Sequence, residues 1–86
     1  MDELTELPNI GPVLANKLEG IGIMNLDELS RVGSVKATVR IGAADISACY
    51  NMLYALEGAI RGIRWHDIPS EDRQMIKEEF NKTISS

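Results

Sequence analysis

Glycine spacing constrains this chain more than any other feature. Gly11, Gly20, Gly22, Gly33 and Gly42 cut the first half into segments of about eight to ten residues, each of helical composition. No stretch alternates polar and apolar residues long enough to argue for a strand. Aromatic residues are only 5% of the 86, so Leu, Ile, Val, Ala and Met must supply the core, and these suit helix packing. The expectation is an all-α fold: a compact bundle of five or six short helices, with a duplicated helix-hairpin-helix-like unit and one longer central helix. A chain this short makes one domain, residues 1–86, with hairpin repeats over about 7–42 and two further helices over about 45–83.

Local signals place the helices. Pro12 sits just inside one start, where its missing N–H costs nothing, and Gly20 follows the matching end, which predicts a helix over 12–19. Asn25, with Glu28 three residues on, reads as an N-cap with a variant capping box, and Gly33 closes that helix. Ser34 is then expected to cap a further helix to about Ile41. Asp45 opens the longest one, about 46–62, in which Ile46, Cys49, Leu53, Leu56, Ile60 and Ile63 form an apolar stripe that should be the spine of the core. Ser70 is placed to cap a last helix over about 71–82, with Met75, Ile76, Phe80 and Ile84 facing inward.

Leu7–Ala15 and Leu29–Ala37 align at an offset of 22 residues, both as Leu-x-x-(Ile/Val)-Gly-x-Val-x-Ala. A duplicated helix-turn-helix unit explains this better than chance. The stretch from Leu7 to Pro12 has the form of a helix-hairpin-helix turn, in which backbone N–H groups and a helix N-terminus converge on a phosphate oxygen. Asn9, Ile10 and Gly11 are therefore candidate anion-binding residues. Asn9 stands where that motif usually has its first glycine, and Pro12 removes one amide. In the second hairpin Arg31 and Lys36 flank Val32-Gly33-Ser34, which makes Arg31, Gly33, Ser34 and Lys36, with Arg40 beyond them, the best candidate anion site. The structural alternative is that the glycines only permit sharp turns.

Charge is uneven. Net charge is −4, but residues 31–64 carry five bases (Arg31, Lys36, Arg40, Arg61, Arg64) against two acids, so a cationic face can exist on an acidic protein. The single cysteine, Cys49, permits no internal disulfide, and together with the single histidine, His66, it cannot build a cysteine-histidine zinc site. No metal or other cofactor is expected. Neither a membrane span nor a secretory signal is visible, so the expected location is cytoplasmic.

Other residues have two readings each. Gly58 and Gly62, flanked by Ala55 and Ala59, leave one face of the long helix thin enough for another helix to approach closely, within the chain or across a homodimer seam. Trp65 can close the core at a helix end, stack on a base or anchor a partner. His66 and Asp67 lack any paired nucleophile, so no catalysis is expected of them. Cys49 reads as a small buried hydrophobe. Glu57 and Arg61 form an exposed i,i+4 pair. Tyr50 and Tyr54 lie one turn apart off the apolar stripe, either covering the core edge or forming a partner-facing ridge.

Taken together, Leu7-Pro8-Asn9-Ile10-Gly11-Pro12, Gly20-Ile21-Gly22-Ile23, Asp27-Glu28-Leu29 and the run Leu56-Glu57-Gly58-Ala59-Ile60-Arg61-Gly62-Ile63-Arg64-Trp65 resemble the C-terminal domain of the TfoX (Sxy) family of bacterial competence regulators. That resemblance implies a helix-hairpin-helix-like fold, a role in regulating genes for DNA uptake, and no established catalytic residue. In that family the domain normally follows a separate N-terminal domain, to which nothing here corresponds, so a stand-alone relative or an excised fragment is expected. The function expected from residues and resemblance together is a non-catalytic regulatory module. It contacts DNA phosphates weakly through hairpin amides and the basic face, or alternatively binds a protein partner or a second copy of itself. A small-molecule substrate is not expected.

Overall fold

The computed structural model describes residues 4–43 and 45–85. Within them the fold is all-helical, with α1 at Pro12–Gly20, α2 at Leu26–Val32, α3 at Ser34–Ile41, α4 at Ile46–Arg61 and α5 at Ser70–Ser85. Short 3₁₀ turns at Leu4–Glu6 and Trp65–Asp67 lead into α1 and α5.

Capping chemistry sets two of the starts. Asn25 and Asp45 lie in extended backbone, and their side-chain oxygens accept from the Glu28 and Ala48 amides at 2.9 and 2.8 Å. Glu28 reaches back to the Met24 amide at 2.9 Å, one residue ahead of the Asn25 cap. Gly62 takes a left-handed conformation after α4, where its own amide and that of Ile63 donate to the Ala59 and Gly58 carbonyls. Gly62 is thus a helix terminator rather than part of a thin helix face.

The α4 helix is the spine. Met52, Leu56 and Ala59 join Leu4, Ile10, Leu18, Ile23, Leu29 and Ala37 in one buried cluster, while Cys49 and Leu53 join Val35, Ile76 and Phe80 in a second. Each fully buried Leu, Ile or Phe contributes about 1.5–3 kcal/mol of apolar burial. Because Ala37 faces the first cluster and Val35 the second, α3 is shared between the α1–α2 side and α5.

Several sequence expectations are corrected. Ser34 is the first residue of α3, not its cap, because Gly33 holds the cap position. Ser70 likewise lies inside α5, whose first turn closes on the Pro69 carbonyl through the Arg73 amide. In α5 only Ile76 and Phe80 face inward. Met75 is 65% exposed, being about a quarter-turn off their stripe. Ile84 continues the stripe but emerges beyond the packed helices, beside the exposed Val39 and Ile46. The two tyrosines diverge: Tyr50 meets Phe80 edge-on at 6.1 Å and donates to Asn81 at 3.1 Å, whereas Tyr54 lies beside Trp65.

Candidate functional site

The first hairpin is pinned from within. Asn9 has φ 68°, the only non-glycine residue at positive φ among the described residues, and this conformation turns its amide toward the end of α4. Its Nδ2 donates to the Ile63 carbonyl at 3.0 Å and the Ala55 carbonyl at 3.4 Å, and its Oδ1 accepts from the Trp65 amide at 3.1 Å. The side chain is therefore spent inside the fold rather than offered to a phosphate. Ile10 is buried, and its amide donates to Leu7. Gly11 is exposed and extended, at φ −93° and ψ −179°.

Asn9 also explains Gly58. A Cβ there would lie 2.5 Å from Asn9 Nδ2 and 2.8 Å from the Ile63 carbonyl oxygen. The absent side chain admits the hairpin, not a second helix. Gly58 is buried against its own chain, and so offers no surface to a dimer seam.

The second hairpin is tighter, with Gly33 alone between α2 and α3 at φ 87°. Ser34 is buried and donates to Glu57 Oε1 at 2.7 Å; the other Glu57 oxygen meets Arg61 Nε at 2.7 Å, and Arg61 reaches Asp72 on α5, also at 2.7 Å. Asp72 first and Glu57 second raise the Arg61 guanidinium above its already high range. A carboxylate of the protein's own thus stands at the start of α3, where the sequence pattern suggested an external anion, and Glu79 lines the same hollow. Arg31, Lys36 and Arg40 are all exposed, the last two one turn apart on α3.

One contrast separates the hairpin helices from their neighbours. Side chains cap α2 and α4, whereas α1 and α3 start on Gly11 and Gly33 with no side-chain cap. Four N–H groups at each helix start have no partner within the helix, and Pro12 reduces the set at α1 by one. An apolar groove of about 380 Å³ runs past the α1 start, lined by Gly11, Pro12, Val13 and Met52, with Lys17 and Asn51 at its polar edge.

Beside it opens a cleft of about 490 Å³ lined by Asn51, Tyr54, Arg64, Trp65 and His66, with Asn9 and Ala55. The Tyr54 and Trp65 rings are within 17° of parallel at 6.5 Å, and His66 lies 3.9 Å from Trp65. Asn51 belongs to no motif, and Arg64 stands out in the sequence only as one of five bases within residues 31–64 and as part of the Leu56–Trp65 run. Their convergence depends on the α4 turn, which brings residues 64–66 back beside residues 51–55.

Fold and site together define a small all-α domain organised on glycine hairpins, in which no described helix is long and apolar enough to cross a membrane. The chain belongs to the TfoX C-terminal domain family, whose model matches residues 1–80. This is a family of regulatory type and not a known enzyme family. The chain is similar to an uncharacterised protein from Listeria monocytogenes in a triclinic crystal form, at 45% identity and TM-score 0.82, over 93% of this chain and 91% of that one. It is also similar to a Listeria monocytogenes protein of unknown function in a tetragonal form, at 46% identity and TM-score 0.76, over 93% and 98% of the two chains. No curated protein matches.

Proposed function

We propose that this chain is a non-catalytic, cytoplasmic regulatory module that touches DNA phosphates weakly and without reading sequence. The observation that carries the proposal is the pair of glycine-started, uncapped helices α1 and α3 beside two side-chain-capped ones. Partial positive charge at an uncapped helix start suits phosphate, and it needs no basic side chain in an acidic protein. Of the two hairpins, the first is the principal contact, because Glu57 already stands at the start of α3. Exposed Arg31, Lys36 and Arg40 add long-range attraction. Without a longer cationic surface the affinity is micromolar or weaker, which fits a domain that works alongside other DNA-bound components.

The test is a titration of labelled duplex DNA at low and moderate salt. Binding that weakens with salt, with a shallower slope on substituting Arg31, Lys36 and Arg40 by Gln, supports the proposal. No binding at low salt, or an unchanged slope in the triple variant, removes it or the basic-face assignment respectively. The apolar groove favours a second reading, a protein partner docked over Pro12, Met52 and Val13, which is 70% exposed. A neutral Val13→Gln variant that keeps DNA binding but loses regulatory activity would select it.

A further inference from the structure

The cleft beside Trp65 holds a set of polar groups that the fold does not use. Among the described residues, the Asn51 amide, the Arg64 guanidinium, the Trp65 indole N–H and the His66 ring have no hydrogen-bond or ion-pair partner. All four residues line one opening of about 490 Å³, inside the 300–1,000 Å³ typical of small-ligand sites. No Asp or Glu lines it, although the chain has 13 acidic residues. By contrast, Asn9 at its floor has its donor and acceptor both engaged, and through the Trp65 amide it fixes the backbone on which the indole is mounted.

We infer that this cleft is a binding site for a nucleotide, meaning an unstacked base together with its phosphate. Tyr54, Trp65 and His66 lie against one another as an aromatic cluster, with Trp65 near-parallel to Tyr54 and 3.9 Å from His66, and an outer ring face of this cluster can take a flat heterocycle. Asn51 presents a donor and an acceptor side by side, the pattern that matches the edge of adenine. Arg64 supplies a cation that can take a phosphate by two parallel bonds. A peptide backbone also pairs with an amide side chain, so the nucleotide is favoured by the combination: stacking rings, an adenine-matching amide and a cation, with no carboxylate in the lining. This site differs from the phosphate contact proposed above: it engages an exposed base rather than the outside of a duplex. The nucleotide can be free or part of an unpaired strand.

Trp65 is the only tryptophan, so its emission reports on the cleft directly. The whole chain is titrated with adenosine monophosphate and, separately, with a single-stranded oligodeoxyadenylate, with circular dichroism confirming the fold. Saturable quenching by both ligands supports the site and makes the free nucleotide sufficient. Quenching by the strand alone supports it and assigns the source to unpaired nucleic acid. Arg64→Gln and Tyr54→Leu should each weaken the affinity roughly tenfold. No saturable quenching of the folded protein by either ligand overturns the inference, as does quenching undiminished in both variants. Neither variant alters the starts of α1 and α3, so duplex binding can fail or persist independently of this result.

Discussion

Gly11→Asp should stabilise the fold and abolish DNA binding together. The backbone at Gly11 is extended, as it is at Asn25 and Asp45, and those two side chains cap α2 and α4 by accepting from the amide three residues on. The corresponding amide in α1 is that of Leu14. A Cβ at Gly11 meets nothing within 4 Å, so the carboxylate can reach that amide without displacing a neighbour. A capping side chain in place of Gly contributes a few tenths of a kcal/mol, and a charge favourable to the helix dipole about 0.3–1 kcal/mol. That cap difference already includes the lost freedom of the unfolded chain, so the total is about 0.5–1.5 kcal/mol, and each kcal/mol raises Tm by roughly 4–8 °C in a domain of this size. The same carboxylate would occupy the position proposed for phosphate and repel it. Thermal melting by circular dichroism and duplex titration at low salt read the two effects separately, with Gly11→Ser as the neutral cap. Unchanged DNA affinity in a stabilised Gly11→Asp variant refutes phosphate contact at α1; no gain in Tm refutes the capping argument.

Gly58→Ala gains about 1 kcal/mol of helix propensity but pushes a methyl against Asn9 and the Ile63 carbonyl, at about 1–3 kcal/mol, and loosens the Asn9 hydrogen bonds besides. Denaturant unfolding should therefore show a net loss of about 1–2 kcal/mol, and a stabilised variant would mean that the hairpin yields easily. Asn9→Gly restores the commoner hairpin residue and relieves the positive φ, yet it strips partners from the Ile63 carbonyl and the Trp65 amide; the expected net loss is about 1–3 kcal/mol, with a shift in Trp65 emission. Thr38 is fully buried with its hydroxyl unpartnered, so Thr38→Val should raise stability by about 1 kcal/mol in the same unfolding assay.

What the sequence revealed was whatever depends on near neighbours. Asn25 with Glu28, Asp45 ahead of Ala48, and Pro12 at the first position of α1 act over three or four residues, and each of these helices starts where such rules put it. The apolar stripe of α4 was legible through Cys49, Leu53 and Leu56, but not at Ile46, because period alone does not say where the neighbouring helices end. Ile84 fails for the same reason. Serine misled twice: Ser34 and Ser70 have the composition of caps, but Gly33 and Pro69 already hold the cap positions, and the Ser34 hydroxyl is diverted to a carboxylate 23 residues away.

Asn9 shows why the site was harder to read than the fold. As a variant hairpin residue it was legible in its backbone, since Asn tolerates positive φ, but its side chain bonds across 46 to 56 residues, where no local rule reaches. Those bonds account at once for three otherwise separate features: asparagine in place of glycine, the missing side chain at Gly58, and the fixed backbone at Trp65. A glycine at position 9 would satisfy the turn but leave the end of α4 unpaired; a larger residue at position 58 would keep the helix but exclude the hairpin. The three positions are thus one constraint, and it joins the uncapped start of α1 to the aromatic cleft.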